Sequence, residues 1–178
     1  MPLSRTAERH PFPADEFRDV LAANAAYADA FQASELGGRA ARGLAVVTCI
    51  DSRIDPLGLL GMSAGDVKIV RNAGARVTDD VLRTLALATF LLGVRRILIL
   101  PHTDCKMASA PEAEIHATIR ERYGVETRSI EFRTVDDQES ALVTDVVRVR
   151  SFPLLAPDVT VAGAVYDVRT GRLNPVDV

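Results

Sequence analysis

Apolar residues recur along this chain with two different periods, and the change between them marks its organisation. In residues 13–31, Phe17, Val20, Leu21, Tyr27, Ala28 and Phe31 share one face at helical spacing, after Pro13 and the acids Asp15 and Glu16. An amphipathic helix is predicted there. Residues 34–42, with Gly37 and Gly38 side by side, read as a linker. From Gly43 onward the apolar residues gather in short continuous runs at 44–49, 67–71 and 96–100. Such runs suit strands buried on both faces. Thr78 can cap a helix whose first turn carries Asp79 and Asp80 and which Gly93 ends. Ser109 and Glu112 form a capping-box pattern for another helix ending near Tyr123 and Gly124. A further helix is predicted over about 137–149. Residues 159–166 are β-branched, and Thr170-Gly171 turns the chain into a short returning strand at 172–176.

Strands alternating with helices predict an α/β fold. Its central sheet is mostly parallel, with about four strands and an antiparallel edge strand. Helices flank it, and an N-terminal helical arm precedes it. One domain spans residues 1–178, with arm and linker to residue 42 and the body from 43. In such sheets ligands collect beyond the carboxyl ends of the strands. Cys49 closes the first run, and His102 follows the third.

Composition narrows the picture only a little. The 178 residues are 48% hydrophobic and 25% charged, as in an ordinary soluble domain. A net charge of −3 offers no electrostatic footprint for nucleic acid or an anionic membrane. The first residues lack a signal-peptide core, and no apolar stretch is long enough to span a bilayer. A cytoplasmic location is expected, and there two cysteines serve as metal ligands or reactive thiols more readily than as a disulfide.

Those two cysteines carry the candidate chemistry. Cys49 opens Cys-Ile-Asp-Ser-Arg, and Cys105 closes His-Thr-Asp-Cys. Cys49, His102 and Cys105 together make a sufficient ligand set for a catalytic Zn²⁺ with an open fourth position. Asp51 and Arg53 stand where they could act on a water at that metal. A structural zinc site would want a fourth Cys or His. His10 lies in an irregular N-terminus, and His116 falls in a predicted helix as a surface residue. The other readings are two buried apolar thiols without metal, or Cys/His nucleophilic catalysis, which leaves one cysteine unexplained. Asp51 and Arg53 read either as a solvated ion pair or as a carboxylate that coordinates the metal or accepts a hydrogen bond from its hydroxide, with Arg53 deciding between the two.

Cys-x-Asp-x-Arg followed by His-x-x-Cys, with Arg71-Asn-Ala-Gly74 and Thr-Asp-Asp-Val-Leu-Arg83 between them, resembles the β-class carbonic anhydrases, especially small actinobacterial and mycobacterial members. The resemblance implies reversible hydration of CO₂ to bicarbonate and a proton, with one Zn²⁺ per chain on Cys49, His102 and Cys105. It implies Asp51 and Arg53 as the catalytic pair, with Asp51 also able to take the fourth metal position. Activity should then rise on the alkaline side. Ala73, Gly74 and Lys106 are implied at the substrate. A homodimer or dimer of dimers built through the N-terminal helix is implied as well. Lys106 departs from the glycine usual in the family and is expected to point outward. An alternative on the same scaffold is hydrolysis of CS₂ or COS. Another is a non-catalytic module that binds zinc or bicarbonate.

Overall fold

The computed structural model describes residues 11–32 and 35–178. His10 and Ser34 lie outside the described residues. The chain divides into two compact units, Met1–Leu36 and Gly37–Val178. The first contains helix α1, Arg18–Asp29. It starts five residues later than the predicted residue 13, and Phe17 at its N-cap makes no side-chain capping hydrogen bond. Pro13, Asp15 and Glu16 precede it in turns and extended chain.

In the second unit, strands β1 (Leu44–Cys49), β2 (Val67–Asn72), β3 (Arg96–Leu100), β4 (Thr160–Tyr166) and β5 (Leu173–Val176) form a sheet in the order β2-β1-β3-β4-β5. The first three pairings are parallel, and β5 closes the edge antiparallel to β4. Every residue of β1 is buried, the consequence of a central strand covered on both faces. Ala45 and Val47 pack on one face with Val81, Leu85, Leu142 and Val146. These four come from helices α3 (Asp79–Leu91) and α5 (Gln138–Arg150). Leu44 and Val46 face the other way, toward Leu57 and Leu60 of the short helix α2, Pro56–Leu60. Helix α5 packs closely on the sheet at Gly163, where an added Cβ would meet Leu142 and Val146 at 3.0–3.1 Å.

Local signals set most boundaries. The Thr78 hydroxyl accepts from the Val81 N–H, and the Asp137 carboxylate caps α5 through the Glu139 N–H. The predicted capping box does not form. Helix α4 (Glu112–Tyr123) has Pro111 at its N-cap without a side-chain cap. The Ser109 hydroxyl donates instead to the Lys106 carbonyl, and the Glu112 carboxylate accepts from the N–H groups of Phe132 and Arg133. His116 also differs from expectation. It is partly buried, its Nδ1 is 2.8 Å from the Thr127 hydroxyl, and its ring lies against Phe132. The second half of the expected linker belongs to the larger unit, since Ala40 is buried and its N–H donates to the Leu92 carbonyl.

The strand order has a positional consequence. From β1 the chain moves outward to β2, then crosses back to β3 and continues to β4. Connections therefore diverge on either side of the gap between β1 and β3, the place where an open α/β sheet leaves a crevice at its carboxyl end.

Candidate active site and metal centre

Cys49, the last residue of β1, and His102, two residues beyond β3, lie at that crevice, and the turn after His102 returns Cys105 to it. The Sγ atoms of Cys49 and Cys105 are 4.0 Å apart, and the three candidate ligand atoms lie within 4.8 Å of one another. Tetrahedral bonds of about 2.3 Å to zinc would set two sulfurs about 3.8 Å apart. All three residues are buried. The His102 side chain is fully buried, its Nδ1 lies 2.9 Å from the Thr103 carbonyl, and its Nε2 has no hydrogen-bond partner among the described residues. With the Nδ1 proton committed to a carbonyl, the Nε2 lone pair faces the two sulfurs, the tautomer a metal requires. An orphaned imidazole nitrogen beside two buried sulfurs fits Zn²⁺.

The electrostatics of the three side chains points the same way. Cys105 as hydrogen-bond partner, aided by His102 and the Gly74 N–H, holds the Cys49 thiol well below the usual range. The Cys49 sulfur and burial push Cys105 upward. One thiolate forms at the expense of the other, and a divalent cation would stabilise both.

Three neighbours fix this geometry. The Arg71 guanidinium on β2 donates to the carbonyls of Cys49 and Asp51, at 2.8 and 2.7 Å. The Gly74 N–H points at the Cys49 sulfur from 3.4 Å. Gly74 has φ of 76°, and an added Cβ would come within 3.1 Å of Met107, so both backbone and space require glycine there. Gln138 at the start of α5 donates to the His102 carbonyl at 2.6 Å.

Asp51 and Arg53 meet beside the ligands. Oδ1 of Asp51 accepts from the backbone N–H and Nε of Arg53, both at 2.9 Å, and Oδ2 accepts from Nη2 at 2.7 Å. Arg53 thereby holds the Asp51 carboxyl well below the usual carboxylate range. The same Oδ2 is 3.8 Å from His102 Nε2. Ala73 and Gly74 form a tight turn after β2, with Ala73 exposed and the Gly74 N–H turned to sulfur. Lys106 is exposed, and its φ is not positive, so a side chain there strains nothing. Sequence reasoning overlooked Asp104 and Gln138. Asp104 stands inside the His-Thr-Asp-Cys run and was open to notice, whereas nothing local marks Gln138 as a partner of His102.

The sequence model of the carbonic anhydrase family matches residues 44–173. The chain belongs to the β-carbonic anhydrase family. It is an enzyme of that family, 36% identical over 159 residues to β-carbonic anhydrase 1 of Mycobacterium tuberculosis, covering 89% of this chain and 96% of the relative. It is also similar to the solved carbonic anhydrase of Streptococcus mutans, with 34% identity and a TM-score of 0.85 over 94% of this chain and all of that one. A carbon disulfide hydrolase of Acidithiobacillus thiooxidans is 29% identical over 155 residues, 75% of this chain and 77% of the relative. Among the described residues no helix is long and apolar enough to cross a membrane.

Proposed function

We propose that the protein catalyses the reversible hydration of CO₂ to bicarbonate and a proton, with one Zn²⁺ per chain held by Cys49, His102 and Cys105. The observation that carries this reading is the buried Cys49–His102–Cys105 cluster with its orphaned Nε2, set beside an Asp51 carboxylate that Arg53 restrains. When bound, the ion would supply Lewis acidity that lowers the pKa of water and makes it a competent nucleophile toward alkaline pH. Asp51 stays ionised through its pairing with Arg53 and offers an acceptor next to the ligand atoms, where it orients the attacking water. Arg53 keeps that carboxylate from becoming a fourth ligand. Ile54, Met107 and Tyr166, packed around the two cysteines, supply apolar surface suited to an uncharged substrate. The Gly74 N–H lies 3.4 Å from the Cys49 sulfur, and Ala73 and Lys106 are proposed to meet the substrate beside it.

Replacing Arg53 by Ala tests the division of labour. Hydration should fall by about 100-fold, the scale on which a displaced positioning group acts, while zinc content per chain stays unchanged. A fully active variant would reduce the pair to a surface salt bridge. CS₂ or COS hydrolysis is the second reading, favoured by the carbon disulfide hydrolase relatives. Hydrogen sulfide release from CS₂ by the same preparation, without CO₂ hydration, would select it.

The working unit is a homodimer or a dimer of dimers. Phe17, Val20, Leu21, Tyr27 and Phe31 of the N-terminal unit are exposed. The body separately carries an open apolar groove of about 580 Å³ along α3, lined by Leu82, Leu87, Phe90, Leu91, Phe152 and Leu154. Exposed apolar residues gathered on one face favour association. The reading also places the protein in the reducing cytoplasm, where both thiols remain available to metal.

A further inference from the structure

Arg53 carries more partners than its pairing with Asp51 requires. Its Nη1 donates to Asp104 Oδ2 at 2.7 Å, and its Nη2 donates both to Asp51 Oδ2 and, at 2.9 Å, to the Asp104 carbonyl. Nε is already committed to Asp51 Oδ1. Four of the five guanidinium protons are therefore spoken for, by two residues on opposite sides of the fork. Asp104 reaches this position from the turn between His102 and Cys105, with φ of 57°. Aspartate is among the few non-glycine residues that accept that conformation readily. The turn presents its carbonyl and its carboxylate to the same cation.

The arrangement adds little to stability. The Arg53 and Asp104 side chains are 43% and 62% exposed, and ion pairs so open to water contribute little. Its consequence is positional. Asp51 lies two residues from Arg53, on the same loop, so their pairing alone leaves the guanidinium free to move with the carboxylate it should restrain. Asp104 ties that guanidinium to the separate turn that carries two of the three candidate metal ligands. The distance at stake is short, since Asp51 Oδ2 already lies 3.8 Å from His102 Nε2. A small displacement of Arg53 would let the carboxylate reach the metal.

We infer that Asp104 is a positioning residue: it anchors Arg53 from the ligand turn and thereby keeps Asp51 off the metal. The inference rests on the proposed zinc site and extends it to a third member of the acid–guanidinium pair.

Asp104→Asn is the informative variant. It preserves the turn and the carbonyl contact and removes the charge that holds Nη1. Three readouts on the zinc-loaded protein test it. In crystal structures of the unaltered protein and the variant, the Asp51 carboxylate should move from Arg53 to the metal in the variant. Nitrogen-15 relaxation of the Arg53 Nε–H should show a restrained group in the first protein and a mobile one in the second. The rate constant kcat for CO₂ hydration should fall about tenfold or more with zinc content unchanged, and the same substitution should have no further effect in an Arg53→Ala background. If Asp51 stays on an equally restrained Arg53 in Asp104→Asn, the inference is overturned. If the unaltered protein binds zinc without hydrating CO₂, the functional reading fails, and the structural and relaxation readouts still decide the role of Asp104.

Discussion

Asp145 and Arg76 face each other behind the site, with side chains 5% and 18% exposed and Nε 2.7 Å from Oδ2. Arg76 also donates to the Arg133 carbonyl, while the Asn72 side chain brackets the Arg76 backbone, accepting from its N–H and donating to its carbonyl. The turn carrying Gly74, and with it the donor on the Cys49 sulfur, is therefore tied to α5. Removing one partner of such a buried pair leaves an uncompensated charge, which costs about 3–5 kcal/mol. Asp145→Ala should lower the unfolding free energy in urea by that amount. A loss below about 1 kcal/mol would mean that water reaches Arg76 and screens it. At this scale the ligands were readable in the sequence because cysteine and histidine are scarce here and stand at strand ends. Asp145 was not readable, since an acid in a mid-helix position looks like a solvated one until its partner 69 residues away is known.

Glu112 acts between elements. From the first turn of α4 its two oxygens accept from the N–H groups of Phe132 at 2.8 Å and Arg133 at 3.0 Å, pinning the segment that leads to α5. The Phe132 N–H, with that of Arg133, pulls the Glu112 carboxyl below its usual value of 4.5. A depressed carboxyl stabilises the fold fully above its unfolded value and loses that contribution as pH falls through the folded one. Hydrogen-exchange protection at Phe132 and Arg133 should therefore drop on going from about pH 5 to about pH 3. Glu112→Gln should show reduced protection at neutral pH and no further acid step. Protection equal to that of the unaltered protein at both pH values would assign the pinning elsewhere. The strands were predictable as elements because each is a compact apolar run bounded by turn residues. Helix α2, Pro56–Leu60, went unseen because five residues are too few to show a helical period. The capping box failed because Glu112 found two backbone donors in a loop distant in sequence, which no local pattern announces.

For the whole molecule, topology explains why the ligands meet. The β2-β1-β3 order places the carboxyl ends of β1 and β3 side by side, so Cys49 converges with residues more than fifty positions away. That convergence could be anticipated from alternating strands and helices; the extent of exposed apolar surface could not, because coverage is a property of packing. Tyr27, Phe31, Phe90, Leu91 and Leu154 are all exposed. Analytical ultracentrifugation at micromolar protein should find a dimer or larger, and Leu91→Glu should shift it toward monomer. A monomer in the unaltered protein would leave the groove along α3 to another partner.

Stopped-flow CO₂ hydration with protein carrying one zinc per chain decides whether this is a zinc-dependent hydration site. The rate should stand far above buffer and rise toward alkaline pH. Two thiolate ligands neutralise much of the charge on the metal and weaken its acidifying effect. Asp51, kept ionised by Arg53, does not titrate across that range. No rate above buffer at alkaline pH, with zinc stoichiometric in the sample, would mean that the site does not hydrate CO₂.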